Sequence, residues 1–335
     1  MASQSDVARL ADVSFMTVSR VVNGHPSVRP ETRERVLQAI EQLGYSPNAA
    51  ARALNRNKAH AIGVYLPAFQ HTLSTPYFVQ LLFNMEKWLT HYKYDLLLVS
   101  SGHTSDKGYV DLFSQRKVDG LIVMAPPIDA GFLDELSRLA VPTVVVHGRT
   151  QLENISYVDT DNYAAVTELM RHIAKCGHTR IGFIAGDLQV LNARDRLTAY
   201  KDAMASRGFP MDPSLIYLGD WTAQAGYDAF RHFRGLSSPP TAVVCSNDYM
   251  AIGLLKAAHE VGIRVPEELA IVGFDDIEMA SFVTPMLTTV RQPLARIGRE
   301  VIDALLTKIN NPEASTSRIL APTELVVRDS CVERP

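Results

Sequence analysis

Three residues in the long C-terminal part of the chain are of types that bind small polar molecules. Arg196 lies near the predicted start of a helix, and Asp275 directly follows the apolar run 270–274. Charged groups such as these form strong hydrogen bonds with hydroxyls and ring nitrogens. Trp221, in a predicted loop, offers a flat apolar face. Together these residue types predict the binding of a polar ring, either a sugar or a nucleobase.

A second set of polar groups lies in the first 58 residues, which are basic although the whole chain has a net charge of −3. This segment carries eight Lys and Arg side chains against five Asp and Glu. Basic segments suit polyanions such as nucleic acid. The guanidinium of Arg20 can bind a guanine through two hydrogen bonds. Hydroxyl and amide groups suited to phosphate contacts are those of Thr17, Ser19, Asn23 and Tyr45.

Three short helices would position this second set. Apolar spacing and an acidic first turn predict one helix over residues 6–11, and Ser14 is a suitable N-cap for another that starts at Phe15. Pro30 favours the start of a third helix, which Gly44 ends. Its predicted inner face consists of Val36, Leu37, Ile40 and Leu43. This order predicts a helix-turn-helix whose second helix enters the major groove.

Short apolar runs alternate with helical stretches from residue 61 onward. Strands that are apolar along their whole length indicate parallel sheets covered on both faces. The runs are residues 62–66, 96–99, 120–124 and 143–146 in a first series, and 180–184, 242–245 and 270–274 in a second. Two series predict two doubly wound α/β subdomains. Ligands of such sheets bind beyond the carboxyl ends of the strands, in the cleft.

Composition and motifs exclude several classes of protein. Hydrophobic residues make up 47% and charged residues 21%, which excludes a disordered chain. No apolar run approaches the roughly 20 residues of a membrane helix, and residues 1–20 lack a signal-peptide pattern. Cys176, Cys245 and Cys331 form no CxxC or Cys/His pattern in the sequence. We therefore expect a cytoplasmic chain with no membrane partner, no disulfide and no metal site.

No catalytic motif is present in the sequence. A dinucleotide site would need GxGxxG, yet no two glycines stand two positions apart. The patterns GxxxxGK[ST], GxSxG and HExxH are also absent. Because a fold does not by itself supply an activity, we expect no enzyme and no cofactor.

Five motifs follow one another in the N-terminal segment: DVARLADVS (6–14), TVSRVVNG (17–24), ETRERV (31–36), LGYSPN (43–48) and ARAL (51–54). They resemble the signature of the LacI/GalR family of bacterial transcriptional regulators, although Asp12 stands where the family usually has a small residue. The resemblance implies that Phe15, Met16 and Arg20 read base edges; for Phe15, packing on the head itself is the alternative. It also implies a hinge over residues 47–58 that folds on DNA, with Leu54 as a wedge in the minor groove and Asn55 as a further contact.

Motifs of the same family continue through the rest of the chain: VDGLI (118–122), VDTDN (158–162), GHTRIG (177–182), NDYMAIG (247–253), VPEELAIVGFDD (265–276) and LTTV (287–290). They imply the fold of periplasmic sugar-binding proteins, with two lobes joined by three crossing strands near 157–161, 285–291 and 320–325. We therefore expect a helix-turn-helix head over 1–46, a hinge over 47–58 and an effector-binding core over 59–335. One subdomain would span about 59–157 and 289–320, and the other about 158–286 and 322–331.

In this fold the effector lies between the lobes. The residues at positions that match the family's cleft are Tyr77, Phe78, His147, Asp161, Asn192, Arg196, Trp221, Asn247 and Asp275. For Trp221 the alternative is packing in the core, and Asp248 is either a further ligand contact or a helix cap. The long connection 68–76 and the segment 146–149 resemble regulators of α-glucoside and oligosaccharide use. A mono- or oligosaccharide is therefore favoured over a nucleobase or nucleoside.

The resemblance implies a repressor that binds a near-palindromic operator in double-stranded DNA as a homodimer, with an operator affinity that a small molecule controls. Because no leucine heptad tail follows residue 325, we expect a dimer rather than a tetramer. The competing class is a sugar-binding receptor of the same core fold without a DNA-binding role. The basic head and the complete helix-turn-helix favour the repressor.

Overall fold

Three helices around a small apolar core form the N-terminal head. The structure, a computed structural model, describes residues 2–22, 25–45, 58–66, 75–100 and 108–333. The helices are α1 (Gln4–Leu10), α2 (Phe15–Val22) and α3 (Pro30–Gln42). Ser3 caps α1 in a capping box with Asp6, which satisfies free backbone N–H groups of the first turn. The predicted helix-turn-helix is confirmed.

The turn between α1 and α2 depends on two polar residues. Asp12 has a φ of 50°, a left-handed conformation that Asp tolerates better than most residues. The hydroxyl of Ser14 accepts a hydrogen bond from the Thr17 amide at 3.1 Å and so caps α2 as predicted. The departure from the family pattern at Asp12 is therefore compatible with the turn.

The core of the head differs in one position from the prediction. Leu37 is 51% exposed, so its placement on the inner face of α3 is wrong. A helix turns about 100° per residue, so the neighbour of Val36 faces away while positions three and four further on return to the same side. The buried residues are Val7, Ala8, Ala11, Val18, Val21, Val36 and Ala39.

A six-stranded parallel sheet forms the first lobe of the core, in the order β11-β5-β4-β3-β1-β2. Its strands are β1 (Ala61–Leu66), β2 (Asp95–Ser100), β3 (Gly120–Met124), β4 (Thr143–Val146), β5 (Ser156–Thr160) and β11 (Arg318–Ala321). The helices of this lobe are α4 (Pro76–His91), α5 (Gly108–Ser114), α6 (Phe132–Arg138) and α11 (Leu294–Asn310). Two apolar clusters line this lobe, so the predicted covered sheet is confirmed.

The second lobe contains a four-stranded parallel sheet in the order β7-β6-β8-β9. Its strands are β6 (Ile181–Ala185), β7 (Ile216–Leu218), β8 (Ala242–Cys245) and β9 (Ala270–Val272). Its helices are α7 (Asn162–Lys175), α8 (Leu191–Ser206), α9 (Ala223–Arg234) and α10 (Asp248–Glu260). Apolar clusters again lie against it, with Phe183 and Tyr200 among the largest fully buried side chains.

The crossings between the lobes lie near the C-terminal ends of the predicted crossing strands. β5 belongs wholly to the first sheet because Val158 pairs with both Val146 and Ile319, so the first crossing follows Thr160. β10 (Thr289–Arg291) pairs with β12 (Glu324–Val326) and adjoins the second lobe, where the Asp275 amide donates to Val290 O at 2.9 Å. The second crossing therefore follows Arg291. Relative to the approximate limits at 157/158 and 286/289, the strand pairing moves each crossing a few residues towards the C-terminus, which apolar runs cannot show because they give no information on strand partners.

Two cysteines that are far apart in the sequence meet in the folded chain. Cys176 follows α7, and Cys331 lies in the C-terminal segment beyond β12. Their Sγ atoms are 3.9 Å apart although the residues are separated by 155 positions. The expectation of no disulfide and no metal site rested on spacing along the chain, which does not show where the last segment returns.

The described helices include none long and apolar enough to cross a membrane.

Candidate ligand cavity and nucleic-acid interface

A cavity of about 720 Å³ lies between the two lobes, at the carboxyl ends of their strands. Of the residues predicted for a ligand site, those that line it are Tyr77, Phe78, His147, Asn192, Arg196, Trp221, Asn247 and Asp275. The first three come from the first lobe and the others from the second. Polar and aromatic groups that are far apart in the chain thus face one space, as binding pockets of α/β folds do.

Arg196 is held rigidly in the wall of this cavity. It lies on α8, is 4% exposed, and its Nε donates to Asn162 Oδ1 at 2.7 Å. One Nη donates to the backbone carbonyl of Ser246, and the guanidinium stacks on Phe274 at 3.5 Å from the ring centre. Burial lowers the pKa of Arg196, while the negative charge of Asp275 opposes this shift. Because so much of the group is fixed, a ligand meets a preorganised cation.

Asp275 lies just beyond the C-terminal end of β9. Its backbone conformation is unusual, with a φ of 122°. Its Oδ1 accepts a hydrogen bond from Gln292 Nε2 at 2.7 Å. Burial raises the pKa of Asp275 to about 7, although Arg196 and the Gln292 hydrogen bond act in the opposite direction. The carboxyl group therefore changes charge near neutral pH.

A chain of hydrogen bonds joins the lobes at the back of the cavity. Tyr77 OH donates to Gln292 Oε1 at 2.9 Å and lies 2.8 Å from His147 Nε2. Gln292 in turn donates to Asp275. Burial raises the pKa of Tyr77 well above its ordinary value, so its phenol stays a neutral donor. Gln292 is a lining residue that sequence reasoning missed; its position just after the crossing strand β10 was the available signal.

Trp221 forms an aromatic wall of the cavity. Its φ is 73°, and its backbone carbonyl accepts a hydrogen bond from Asn247 Nδ2 at 2.9 Å. A Cβ atom at Gly186 would stand only 2.1 Å from the Trp221 ring, so only glycine permits this close packing. The ring also packs beside the apolar cluster of α9 and α10. Both roles considered for Trp221, core packing and cavity lining, thus hold at once.

Two acidic residues considered for ligand contact do not line the cavity and form hydrogen bonds within the protein. Asp161 is absent from the cavity lining and accepts a hydrogen bond from the Ala164 amide at 2.9 Å, so its predicted effector contact is wrong: it is the N-cap of α7. Asp248 accepts hydrogen bonds from Thr289 Oγ1 and from the Ile277 amide. It is neither a lining residue nor the cap of α10, since Asn247 takes that position.

Two buried polar atoms of lining residues, Asn192 Oδ1 and His147 Nδ1, have no hydrogen-bond partner among the described residues. Among the described residues, Asn192 Oδ1 lacks a hydrogen bond although the side chain is 7% exposed. Buried polar atoms are normally satisfied, so this carbonyl calls for a donor from outside the protein. Further lining residues that sequence reasoning missed are Asp187, Gln189, Arg194 and Tyr249, which lie in loops or at helix starts without an apolar run.

The lobes also touch at the rim of the cavity. Arg149, beyond β4 in the first lobe, forms an ion pair with Asp195 on α8 at 2.6 Å. The Ile128 amide donates to Gln189 O at 2.9 Å. These contacts hold the two lobes together on one side of the cavity.

The outer face of α2 carries the predicted base-reading residues. Phe15 and Met16 are 52% and 60% exposed, and Arg20 is exposed as well. Phe15 is thus not buried in the core of the head, and its base contact stays a prediction beside packing on the surface of the head. Thr17 and Ser19 lie half-buried on the same helix, and Tyr45 packs beside the core of the head. Asn23, Leu54 and Asn55, with most of the predicted hinge, lie outside the described residues.

Two family descriptions match this chain. Residues 4–48 match "Bacterial regulatory proteins, lacI family", and residues 170–331 match "Periplasmic binding protein-like domain". The HTH-type transcriptional repressor PurR of Haemophilus influenzae is 35% identical over an alignment of 337 positions that covers 98% of each chain. Catabolite control protein A of Priestia megaterium is 36% identical over 318 residues, 94% of each chain.

Solved structures agree with these relatives. The lac repressor dimer bound to operator and the anti-inducer ONPF has a TM-score of 0.88 at 27% identity, with 99% of each chain covered. A complex of the transcriptional regulator CelR with cellobiose has a TM-score of 0.75 at 29% identity, covering 98% of this chain and 100% of that one.

Proposed function

Because this chain belongs to the LacI family of bacterial regulatory proteins, we propose that it is a repressor that binds a near-palindromic operator as a homodimer and is controlled by a sugar. Ligand-controlled repression through DNA binding is the function of the family. The homodimer, the operator symmetry and the sugar are the proposed parts. The observation that carries the proposal is the cavity with polar walls from both lobes, in a chain that also has a helix-turn-helix head.

The chemistry of the cavity favours a sugar. Asp275 and Asn192 offer oxygen acceptors, and Arg196 offers a donor, which suits hydroxyl groups that both donate and accept. Trp221 and Phe78 supply apolar faces for the C–H side of a sugar ring. The volume of about 720 Å³ exceeds what one nucleobase needs and lies within the range of small-molecule pockets. The CelR–cellobiose complex, a similar structure with a disaccharide, supports the same class.

In the head, we assign base contacts to Phe15, Met16 and Arg20. Arg20 is the residue suited to a guanine, whereas Phe15 and Met16 offer apolar contacts such as those with a thymine methyl. Phosphate contacts are assigned to Thr17, Ser19, Asn23 and Tyr45. The assignment of Leu54 as a minor-groove wedge, with Asn55 beside it, rests on family resemblance alone.

Communication between the two sites follows from the way the cavity is built. A ligand that touches both lobes favours one arrangement of the lobes over another. The DNA-binding head of each chain is joined to the first lobe and moves with it. Operator affinity then changes by the ligand's differential affinity for the two arrangements, typically about 1–3 kcal/mol. No catalytic step is needed for this function.

The proposal is tested by selecting duplexes from a random DNA library with the full-length chain and then titrating the selected duplex across sugars, disaccharides, nucleobases and nucleosides. We expect a near-palindromic duplex, bound with two chains, whose affinity changes with a sugar. A response to nucleobases alone would refute the sugar assignment. Failure to enrich any duplex would refute the repressor itself.

A further inference from the structure

Two cysteines and a histidine meet at the end of α7, away from the cavity and from the head. His172 and Cys176 stand four positions apart, so they share one face of the helix end. Cys176 Sγ is 3.7 Å from His172 Nε2 and 3.9 Å from Cys331 Sγ. The three ligand atoms all lie within 4.8 Å of one another. One of the three residues, Cys331, thus comes from a segment that is remote from α7 in the chain.

Two of the spacings between these atoms match those around a tetrahedral metal ion. Around a tetrahedral ion, with thiolate bonds of about 2.3 Å and an imidazole bond of about 2.0 Å, the two sulfurs stand about 3.8 Å apart and a sulfur and the nitrogen about 3.5 Å apart. The distances in this chain, 3.9 Å and 3.7 Å, differ little from these values. A disulfide would instead require the two sulfurs to approach to about 2.05 Å.

The surroundings of the triad leave one side open. Cys176 and Cys331 are 4% and 0% exposed and belong to the main apolar cluster of the second lobe. His172 is half-buried, and Val332 and Glu333 beyond the triad are exposed. An ion therefore has a path from solvent past the histidine. The three protein ligands leave the fourth position of a tetrahedral ion to solvent.

The histidine is already turned towards the site. His172 Nε2 lies 2.9 Å from the backbone carbonyl of Cys331, which also accepts a hydrogen bond from Thr288 Oγ1 at 3.4 Å. With an ion bound, the imidazole carries its proton on Nδ1 and directs the Nε2 lone pair at the metal.

We propose that His172, Cys176 and Cys331 form a site for a thiophilic d10 cation, Zn²⁺ or Cu⁺. Thiolate and imidazole are the ligands that both ions prefer. Each cysteine releases its proton to solvent as the metal–sulfur bond forms, and neither sulfur changes oxidation state. The bound ion fastens the C-terminal segment to α7 and so stabilises the second lobe.

The test uses the full-length chain without a histidine tag, reduced and freed of metal, in competition with a chromophoric chelator. One arm adds Zn²⁺, with Co²⁺ as its spectroscopic substitute, and the other adds Cu⁺ without oxygen. We expect one ion per chain, and the arm with the tighter binding identifies the ion. Co²⁺ should give the intense visible bands of a tetrahedral thiolate site. The third cysteine supplies the matched control: Cys245→Ala should bind as the unchanged chain does.

Loss of a ligand should weaken binding on the order of a hundredfold in Cys331→Ala. His172→Asn changes a half-buried residue and keeps the test valid if the cysteine variant fails to fold. The ion should raise the melting temperature of the unchanged chain and of Cys245→Ala, but not of His172→Asn. Equal binding by the unchanged chain and by Cys331→Ala would overturn the proposal. So would a reduced chain that binds neither ion and instead forms a Cys176–Cys331 disulfide on exposure to peroxide.

Discussion

The head and the cavity present their functional side chains in opposite ways. On α2, Phe15 and Met16 are more than half exposed, and Arg20 is exposed beside them. In the cavity, Arg196 is 4% exposed and bonded to Asn162 and Ser246 before any ligand arrives. A surface of separate exposed side chains is expected to lose affinity one contact at a time. A network of buried groups is expected to fail as a unit, because each member satisfies another.

The largest effect should follow from breaking the buried network. Arg196→Met leaves Asn162 Oδ1 and the Ser246 carbonyl without their donor and removes the cation of the cavity. Loss of one member of a buried charged network costs about 2–5 kcal/mol, so effector binding should be lost over the accessible concentration range. Isothermal titration calorimetry measures this.

The matched control is Lys201→Met, an exposed change on the same helix, which should bind effector normally. Operator binding without effector should be retained in both variants. Normal effector affinity in Arg196→Met would mean that the ligand binds elsewhere.

In the head a single change should act more locally. Arg20→Ala should weaken operator binding by about 1–3 kcal/mol, the value of one good bidentate base contact. Arg20→Lys keeps the charge but not the paired donors, so it should lose sequence preference and retain the salt dependence of binding. Competition binding with specific and random duplexes separates these outcomes. If both variants discriminate duplexes as the unchanged chain does, Arg20 is not a base-reading residue.

The cavity should also respond to pH. Burial raises the pKa of Asp275 to about 7, and a hydroxyl that donates to the carboxylate favours its ionised form. Effector affinity should therefore be highest above pH 7 and fall at most about tenfold per pH unit as the pH decreases below it. Calorimetry from pH 6 to pH 8 measures the slope. Asp275→Asn should bind weakly with no such slope; a flat profile in the unchanged chain would contradict the assignment.

A smaller effect should follow from moving the aromatic wall. Gly186→Ala places a methyl group where the Trp221 ring lies, so the ring must shift away from its place in the cavity. Overpacking of this kind typically costs about 1–3 kcal/mol, of which we expect only part in effector affinity. Gly131→Ala, where no heavy atom lies within 4 Å of the added carbon, is the control. Fluorescence of Trp221 should change in the first variant alone.

The smallest effect concerns the rim. Arg149→Ala removes a partly exposed ion pair with Asp195, and such pairs contribute about 0.2–1 kcal/mol. Effector affinity should fall by no more than about fivefold, with the loss shrinking at high salt. An equal change in Arg149→Ala/Asp195→Ala would show that the pair itself is responsible. A larger loss in the double variant would instead assign separate roles to the two residues.

The difference between the two regions also explains what the sequence could predict. Local signals located the helix-turn-helix. The Ser14 hydroxyl accepts from the nearby Thr17 amide, and Pro30 suits a first helical turn because its φ is fixed and it lacks an N–H. The apolar runs located the sheets because a strand covered on both faces is apolar along its whole length. Gln292 and the Cys176–Cys331 contact escaped prediction because their partners are remote in the chain. Asp161 was misplaced because a carboxylate after a strand can cap a helix or bind a ligand, and only the fold distinguishes these roles.

Coupling between the cavity and the DNA is the central claim, and one thermodynamic cycle tests it most directly. Operator affinity is measured with and without saturating effector, and effector affinity with and without saturating operator. Linkage requires the two ratios to be equal, and we expect a factor of about 5–150, absent in Arg196→Met. An effector that binds the unchanged chain and not Arg196→Met, yet leaves operator affinity unaltered, would contradict the account.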